Sequence, residues 1–262
     1  MALPRIVRVS AYAVLVLALM TLPACAAYVT PGRGADMSAF GMSQGNRELL
    51  TDSAVQNKLD LKPLARFPTG LAVVRVQAPG YSSYTCANSY GSGRYSIVTT
   101  RDVESDQAIA QLGNLPLVTG VAPVNRLLLP EQLESDKEIR QAAAALHADL
   151  VLIYTFDTAF QSTNGSTTLA VVSLGLFPTE VSRVTTTASA VLLDTRNGYV
   201  YAVAEATAQD DTFSSPWASE DAVDSVRRRT ERQAFDKLIA DFHRAWAGVI
   251  NTYALQAPPN HG

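Results

Sequence analysis

The dipeptide Asn197-Gly198 constrains the fold most, because it lies between two stretches rich in strand-forming residues. This dipeptide tolerates the positive φ angles of a type I′ turn, so it predicts a β-hairpin with a two-residue loop. The pairs that such a loop places on one face are Leu193 with Ala202, Val191 with Ala204, and Ser189 with Ala206. This face is small and mostly apolar, so we expect a helix to cover it at close range.

A suitable helix follows the hairpin. Ser219 is a typical helix cap, and Glu220 and Asp221 place acids in the first turn, where the helix dipole favours them. Apolar residues then recur at three- and four-residue steps, at Phe235, Leu238, Ile239, Phe242, Trp246, Val249 and Tyr253. We expect this stripe to pack on the hairpin.

The chain before the hairpin alternates between predicted helices and strands. The helices are Asp52 to Leu59, capped by Thr51 or Asp52 and ended by Pro63, then Asp102 to Leu112 and Glu134 to Ala148. The extended segments are Leu71 to Val76, Tyr95 to Thr100, Val121 to Leu129 and Asp149 to Tyr154, and Asn164-Gly165 marks a further hairpin. This order predicts the α+β class, a two-layer sandwich with helices on one face of a mixed, largely antiparallel sheet.

The first residues have the features of an export signal. Arg5 and Arg8 precede the apolar run from Ala11 to Leu22, which is too short for a membrane-spanning helix. The following Leu22-Pro23-Ala24-Cys25 resembles the bacterial lipobox, although Pro23 departs from its usual residues. The resemblance implies removal of residues 1–24, lipidation of Cys25 with fatty acids such as palmitate, and, because Ala26 follows, sorting to the outer membrane. Ordinary signal peptidase cleavage at Ala24-Cys25-Ala26 stays open as an alternative.

Composition predicts how the exported chain is organised. Residues 25–66 are expected to be a lipidated tether with a short helix, 67–255 a periplasmic α+β domain, and 256–262 a flexible tail. Residues 1–24 hold two arginines and no acid, so their removal changes the formal charge from −3 to −5. Such a chain lacks the basic patch that binding to nucleic acid requires, so we expect no nucleic-acid partner.

Two segments resemble known envelope domains. Leu146-His147-Ala148-Asp149-Leu150-Val151-Leu152 and the hairpin from Ala188 to Tyr201 are similar to segments of the curli secretion lipoprotein CsgG, the amino-terminal domain of TolB and lipoproteins that activate penicillin-binding proteins. The resemblance implies a periplasmic domain that packs against other proteins or itself and carries no catalysis. We do not extend it to secretion-channel activity.

Candidate catalytic and metal-binding residues are few. Gly41-Met42-Ser43-Gln44-Gly45 matches the nucleophile motif of α/β-hydrolases. The segment before it is too short and too polar to form the core strand that this motif requires. The three histidines, His147, His243 and His261, show no metal-ligand spacing, and His147 fits a capping role at a helix end. Asp102 to Asp106 lacks the glycine and glutamate of a calcium loop, so we interpret it as a solvated helix start.

Three further features allow alternatives. Cys86 is interpreted as a buried thiol, with pairing between chains as the alternative. Arg227-Arg228-Arg229 is interpreted as a solvated face, with contact to an acidic partner or lipid phosphate as the alternative. The tyrosines and glycines from Tyr81 to Tyr95 could line a small-molecule site.

Taken together, these features predict a lipid-anchored protein of the outer membrane that faces the periplasm. Its predicted role is non-catalytic binding to envelope proteins or to itself, without a cofactor or metal. The alternatives are a hydrolase that uses Ser43 and a periplasmic domain that binds a small molecule.

Overall fold

A computed structural model of the protein describes residues 31–37, 40, 51–85, 89–164, 180–214 and 220–255. Its helices are α1 (Asp52–Leu59), α2 (Asp106–Gly113), α3 (Asp136–Ala145) and α4 (Glu220–Val249), with a 3₁₀ turn at Arg126–Leu128 and a π turn at Ile250–Ala254. Its strands are β1 (Thr69–Gln77), β2 (Ser92–Gly93), β3 (Ser96–Val98), β4 (Val118–Pro123), β5 (Gln132–Leu133), β6 (Leu150–Asn164), β7 (Glu180–Asp194) and β8 (Val200–Ser214).

Six of these strands form one mixed sheet. Its order is β3-β1-β6-β7-β8, and β4 pairs with the first half of β1. β1 is parallel to β4 and β6, whereas β6, β7 and β8 run antiparallel to one another. β2 and β5 make a separate parallel pair. The α+β class and the mixed sheet are confirmed.

Helices cover both faces of the sheet rather than one. The face that includes Leu71, Leu150 and Leu152 packs against α4 and α2. The opposite face, with Val74 and Ile153, packs against α3. β1 and the first half of β6 are apolar at nearly every position, and strands of that kind need cover on both faces. The continuous apolar runs in these two strands therefore indicated that both faces of the sheet are covered.

The hairpin between β7 and β8 has a longer loop than predicted. The Asp194 N–H donates to the Tyr199 carbonyl at 2.8 Å, and the Gly198 N–H donates to the Asp194 carbonyl at 2.9 Å, which leaves four residues in the loop. Only Gly198, with φ of +77°, takes the left-handed conformation there. The Arg196 N–H donates to Asp194 Oδ1 at 2.8 Å, and this side-chain bond stabilises the longer turn.

The predicted register was therefore wrong by one residue. The observed pairs on the face that contacts α4 are Leu192 with Ala202, Ala190 with Ala204, and Ala188 with Ala206. A bulge between Leu192 and Leu193 absorbs one residue of β8. The small apolar face on β8 and its cover by α4 are as predicted.

Two helices are shorter than their predicted lengths. α2 begins at Asp106 with Ser105 as its cap, so residues 102–104 precede the helix. α3 begins after Ser135, which forms a capping box with Glu138. His147 has φ of +56° and ends the helical path before β6.

Part of the predicted tether lies on the sheet. Gly34 forms a bridge with Gln77, and the Ala35 N–H donates to Thr155 Oγ1 at 2.8 Å. Phe40 is buried and its ring meets that of Tyr95 edge-on. Apolar side chains among the small polar residues hold this segment, which differs from the loose spacer that the composition predicted.

The helix α1 matches its prediction, including the Thr51 cap, whose side chain accepts from Ala54 N–H at 3.2 Å. None of the helices in the described residues combines the length and the apolarity that crossing a membrane requires.

Candidate functional site

The predicted site residues are only partly within the described residues. Cys25, Ser43, Cys86 and His261 lie outside them, as does the glycine of Asn164-Gly165. The lipidation and hydrolase hypotheses therefore stay predictions. At the ends of the tyrosine-rich loop, Tyr81 and Tyr95 are buried, and the Tyr95 hydroxyl donates to the Ser135 carbonyl at 2.8 Å.

Arg227 is fully buried, so its interpretation as part of a solvated face was wrong. Its guanidinium donates to Asp224 at 2.8 Å and to Glu231 at 2.7 Å, one turn to either side on α4. It also donates to Asp102 at 3.2 Å and to the Thr85 hydroxyl at 2.9 Å. Only Arg228 and Arg229 of this run have exposed side chains, 42% and 53% respectively.

Arg75, on β1, extends this cluster. It donates to Asp102 at 3.1 Å, to Glu104 at 3.4 Å and to the Tyr81 hydroxyl at 3.0 Å. Its guanidinium carbon lies 4.6 Å from the centre of the Phe156 ring, a cation–π contact. Asp102 and Glu104 thus turn inward, which corrects the interpretation of a solvated helix start. We call Arg75, Asp102, Glu104, Asp224, Arg227 and Glu231 the ion network.

Burial and the two arginines have opposite effects on the pKa of each carboxyl group, and the balance differs between Asp102 and Glu231. Burial works to raise the pKa of Asp102, but Arg75, the Thr85 hydroxyl and Arg227 outweigh it, and this pKa lies below its ordinary value. Glu231 is more deeply buried, and its desolvation raises its pKa despite Arg75 and Arg227. Burial also raises the pKa of Tyr154, whose hydroxyl donates to Glu104 at 3.0 Å.

The ion network joins three distant parts of the chain. It connects β1 and the segment before α2 to the first half of α4, and its carboxyl groups expose at most 10% of their side chains. A general acid or base must reach the proton that it transfers. The geometry therefore supports a role in fastening α4 to the sheet.

The lowered pKa of Asp102 gives a testable pH dependence. A carboxyl group whose pKa is lowered in the folded state stabilises the protein when the pH is above the ordinary pKa of the group, 3.8. This contribution is lost as the pH falls below that value. We expect Asp102→Asn to lower the free energy of unfolding at neutral pH by about 1–3 kcal/mol. In urea titrations at several pH values, the gap to the wild type should close in acid. Asp106→Asn, at an exposed pair with Arg101, is the control and should change little.

A pocket of about 280 Å³ lies where α3 ends and β6 begins. Its lining residues are Ala144, His147, Ala148, Asp149, Thr195 and Arg196. Arg196 pairs with Asp149 at its rim. The His147 N–H donates to the Ala144 carbonyl at 3.0 Å, which agrees with the predicted capping position. Within the part of the chain that the structure describes, no group of three His, Cys, Asp or Glu side chains could hold a metal ion.

The face of the sheet opposite α4 is open along the second half of the long strands. β1 ends at Gln77, beside Phe156, whereas β6 continues to Asn164. The exposed residues beyond this level and along β8 are Asp157, Ala159, Gln161, Arg183, Val203, Glu205, Thr207 and Gln209. We call them the open face. Ser189 donates to Glu205 at 2.9 Å across it, and Val203 is 70% exposed.

The outer edge of β8 carries basic groups from α4. Lys237 donates to the Thr207 carbonyl at 3.1 Å, and Arg229 pairs with Asp210. β8 is the last strand of the sheet among the described residues. Charged groups on an edge strand hinder pairing with another strand. A partner of this region therefore has easier access to the open face than to the edge.

The ion network escaped the sequence analysis, although two signals were present. Arg75 lies inside the apolar run of β1, where an unpaired charge would be costly. Asp224 and Glu231 lie three residues before and four after Arg227, which is the spacing of helical ion pairs.

No protein-family model and no curated protein matches the chain. Among solved structures, the chain is similar to a candidate lipoprotein from Caulobacter crescentus CB15. The sequences are 15% identical, the match covers 43% of this chain and 81% of that chain, and the TM-score is 0.28. A similarity at this level carries no argument on function.

Proposed function

We propose that the protein is a lipoprotein of the outer membrane, anchored through Cys25 and facing the periplasm, with a non-catalytic role in binding envelope proteins or a second copy of itself. The export signal and the lipobox-like residues around Cys25 support the anchor. The resemblance of the hairpin from Ala188 to Tyr201 to envelope domains supports the interaction role. The observation that carries the proposal is the open face.

The open face supports binding because it extends beyond the core. From Asp157 to Asn164 β6 spans eight residues, about 26 Å at 3.3 Å per residue. Three strands are about 10 Å wide between the outer two. Val203 supplies an apolar contact, and Glu205, Thr207 and Gln209 supply hydrogen-bonding groups. This area is smaller than the roughly 800 Å² that each partner buries in a standard interface, so a partner must also contact neighbouring surfaces.

In-cell photo-crosslinking tests this proposal. A photoreactive side chain replaces Thr207 on the open face or, as a control, the exposed Lys137 on α3. Each variant is made with Cys25 intact and as Cys25→Ser. We expect Thr207 to capture defined envelope proteins or a second copy only with Cys25 intact, and Lys137 to capture far less.

Two outcomes would contradict the proposal. Equal capture from Thr207 and Lys137 would contradict the open face as the binding surface. A Cys25→Ser protein that still fractionates with the outer membrane would contradict the lipid anchor.

A further inference from the structure

The pocket between the end of α3, the start of β6 and the β7–β8 loop contains a buried hydroxyl group without a partner. Thr195 lines this pocket and is only 8% exposed. Among the residues that the structure describes, its Oγ1 has no hydrogen-bond partner. Burying a hydroxyl group without a hydrogen bond costs free energy, so this group favours a partner from outside the chain.

The walls of the pocket are fixed to one another. The Thr195 N–H donates to the Asp149 carbonyl at 3.0 Å. Arg140, on α3, donates to the carbonyls of Thr195 and Arg196 at 3.4 and 3.1 Å. Arg140 is held in turn by Asp136 at 2.7 Å. The loop is thus bonded to both the helix and the strand, and a ligand does not have to order these walls when it binds.

A positive and a negative group lie side by side at the rim. Arg196 pairs with Asp149, and their side chains are 42% and 21% exposed. Arg196 also donates to the Leu64 carbonyl at 3.4 Å. A guanidinium group has five N–H donors and a carboxylate has two acceptor oxygens, so these contacts leave both groups able to bind a ligand.

These charges determine the class of ligand. A simple anion is attracted by Arg196 but repelled by Asp149, and a simple cation experiences the reverse. A ligand that carries both charges gains from both side chains. Because Arg196 and Asp149 are in direct contact, the charges of the ligand must also lie close together. The ammonium and carboxylate groups of an α-amino acid, which are joined through one carbon atom, meet this condition.

The volume of the pocket suits a small molecule of this class. It measures about 280 Å³, which corresponds to roughly nine water molecules at ~30 Å³ each. Ala144 and Ala148 line it with methyl groups, which favour contact with an aliphatic side chain. An amino acid of the size of leucine, with about nine non-hydrogen atoms, therefore fits.

We infer that this pocket binds a free α-amino acid with an aliphatic side chain. Its carboxylate contacts Arg196 and accepts a hydrogen bond from the Thr195 hydroxyl, and its ammonium group donates to Asp149. The pocket shares no residue with the open face, and the inference does not depend on the lipidation of Cys25.

Nuclear magnetic resonance of the purified full chain in detergent tests the inference. L-leucine is titrated into the ¹⁵N-labelled protein, and the amide signals are followed. We expect saturable shifts at Asp149 and Thr195, with a dissociation constant on the order of 1 mM, because a small ligand in an open site gains few contacts. Absence of a shift at these amides at roughly 20 mM L-leucine would overturn the inference.

Three analogues of leucine test the need for two adjacent charges. 4-Methylpentanoate lacks the ammonium group, and L-leucinamide lacks the carboxylate. In the dipeptide L-leucylglycine, one added residue moves the charges about 3.5 Å farther apart. We expect each analogue to bind at least tenfold more weakly than L-leucine. Equal binding of either singly charged analogue would overturn the assignment of a zwitterion, and equal binding of the dipeptide would overturn the assignment of a free amino acid.

Substitution of Thr195 separates a role in binding from a role in folding. Thr195→Val keeps the shape of the side chain and removes a hydroxyl group that has no partner within the described chain. We therefore expect the thermal midpoint without ligand to stay the same or to rise, while L-leucine binds at least fivefold more weakly. Unchanged binding of L-leucine by Thr195→Val would overturn the role of this hydroxyl group.

The charged pair has a matched control elsewhere on the surface. Arg101 is 43% exposed and pairs with Asp106, much as Arg196 pairs with Asp149. We expect Arg196→Gln to weaken the binding of L-leucine at least tenfold and Arg101→Gln to leave it unchanged. Equal effects of these two substitutions would contradict a specific site at the pocket.

Discussion

Replacement of Arg227 by methionine is expected to lower the free energy of unfolding by about 3–5 kcal/mol, the cost of breaking a buried ion pair from one side. Arg227 is fully buried and is bonded to Asp224, Glu231 and Asp102. Methionine fills similar volume but leaves these carboxyl groups without their shared cation. Urea denaturation followed by circular dichroism measures the loss.

The neighbouring arginine gives a matched control. Arg228 is 42% exposed and pairs with Asp224, so Arg228→Met should cost only about 0–1 kcal/mol. Arg227→Lys keeps the charge but not the planar fork, and its cost should lie between the two. Similar losses for Arg227→Met and Arg228→Met would show that the ion network does not fasten α4.

Replacement of Trp246 by alanine is expected to cost about 3–5 kcal/mol, through a cavity beneath the last turns of α4. Trp246 is 1% exposed, and its ring lies 6.0 Å from that of Phe67 and 6.1 Å from that of Phe242. Its Nε1–H donates to the Pro116 carbonyl at 3.0 Å. The thermal midpoint and the urea midpoint should both fall.

A second variant separates packing from hydrogen bonding at Trp246. Trp246→Phe keeps an aromatic ring, so we expect it to cost less stability than Trp246→Ala. Some loss should remain, because the Pro116 carbonyl is left without its donor. Val203→Ala on the open face removes an exposed side chain and should change stability by less than about 0.5 kcal/mol. A Trp246→Ala protein as stable as Val203→Ala would contradict the packing of Trp246 in the core.

Helical and strand periodicity predicted the elements that bury apolar stripes. The stripe from Phe235 to Val249 and the run from Leu150 to Tyr154 are buried as expected. Such patterns are local, because a helix or a strand repeats its buried positions every few residues. Turn length was harder to predict, since side-chain bonds of Asp194 and Asn197 favour a loop that the dipeptide alone does not specify.

The ion network could not be predicted from local patterns. Arg227 is paired with Asp102, 125 residues away, and whether a charged residue is solvated or buried depends on such distant partners. For the same reason Phe40, in a segment with the composition of a spacer, proved to be part of the core. The proposed anchor and its partners depend on residues and molecules outside the described structure.

The bond between Lys237 and the Thr207 carbonyl bears on how copies of the protein interact when they are crowded together on one surface. Proteins tethered to one surface meet neighbours of the same kind far more often than proteins free in solution. With bare strand edges, each encounter would risk joining two sheets and extending them, copy by copy, into an aggregate. With the proposed lipid anchor, the Lys237 ammonium group and the Arg229–Asp210 pair on that edge would hinder such joining between neighbouring copies.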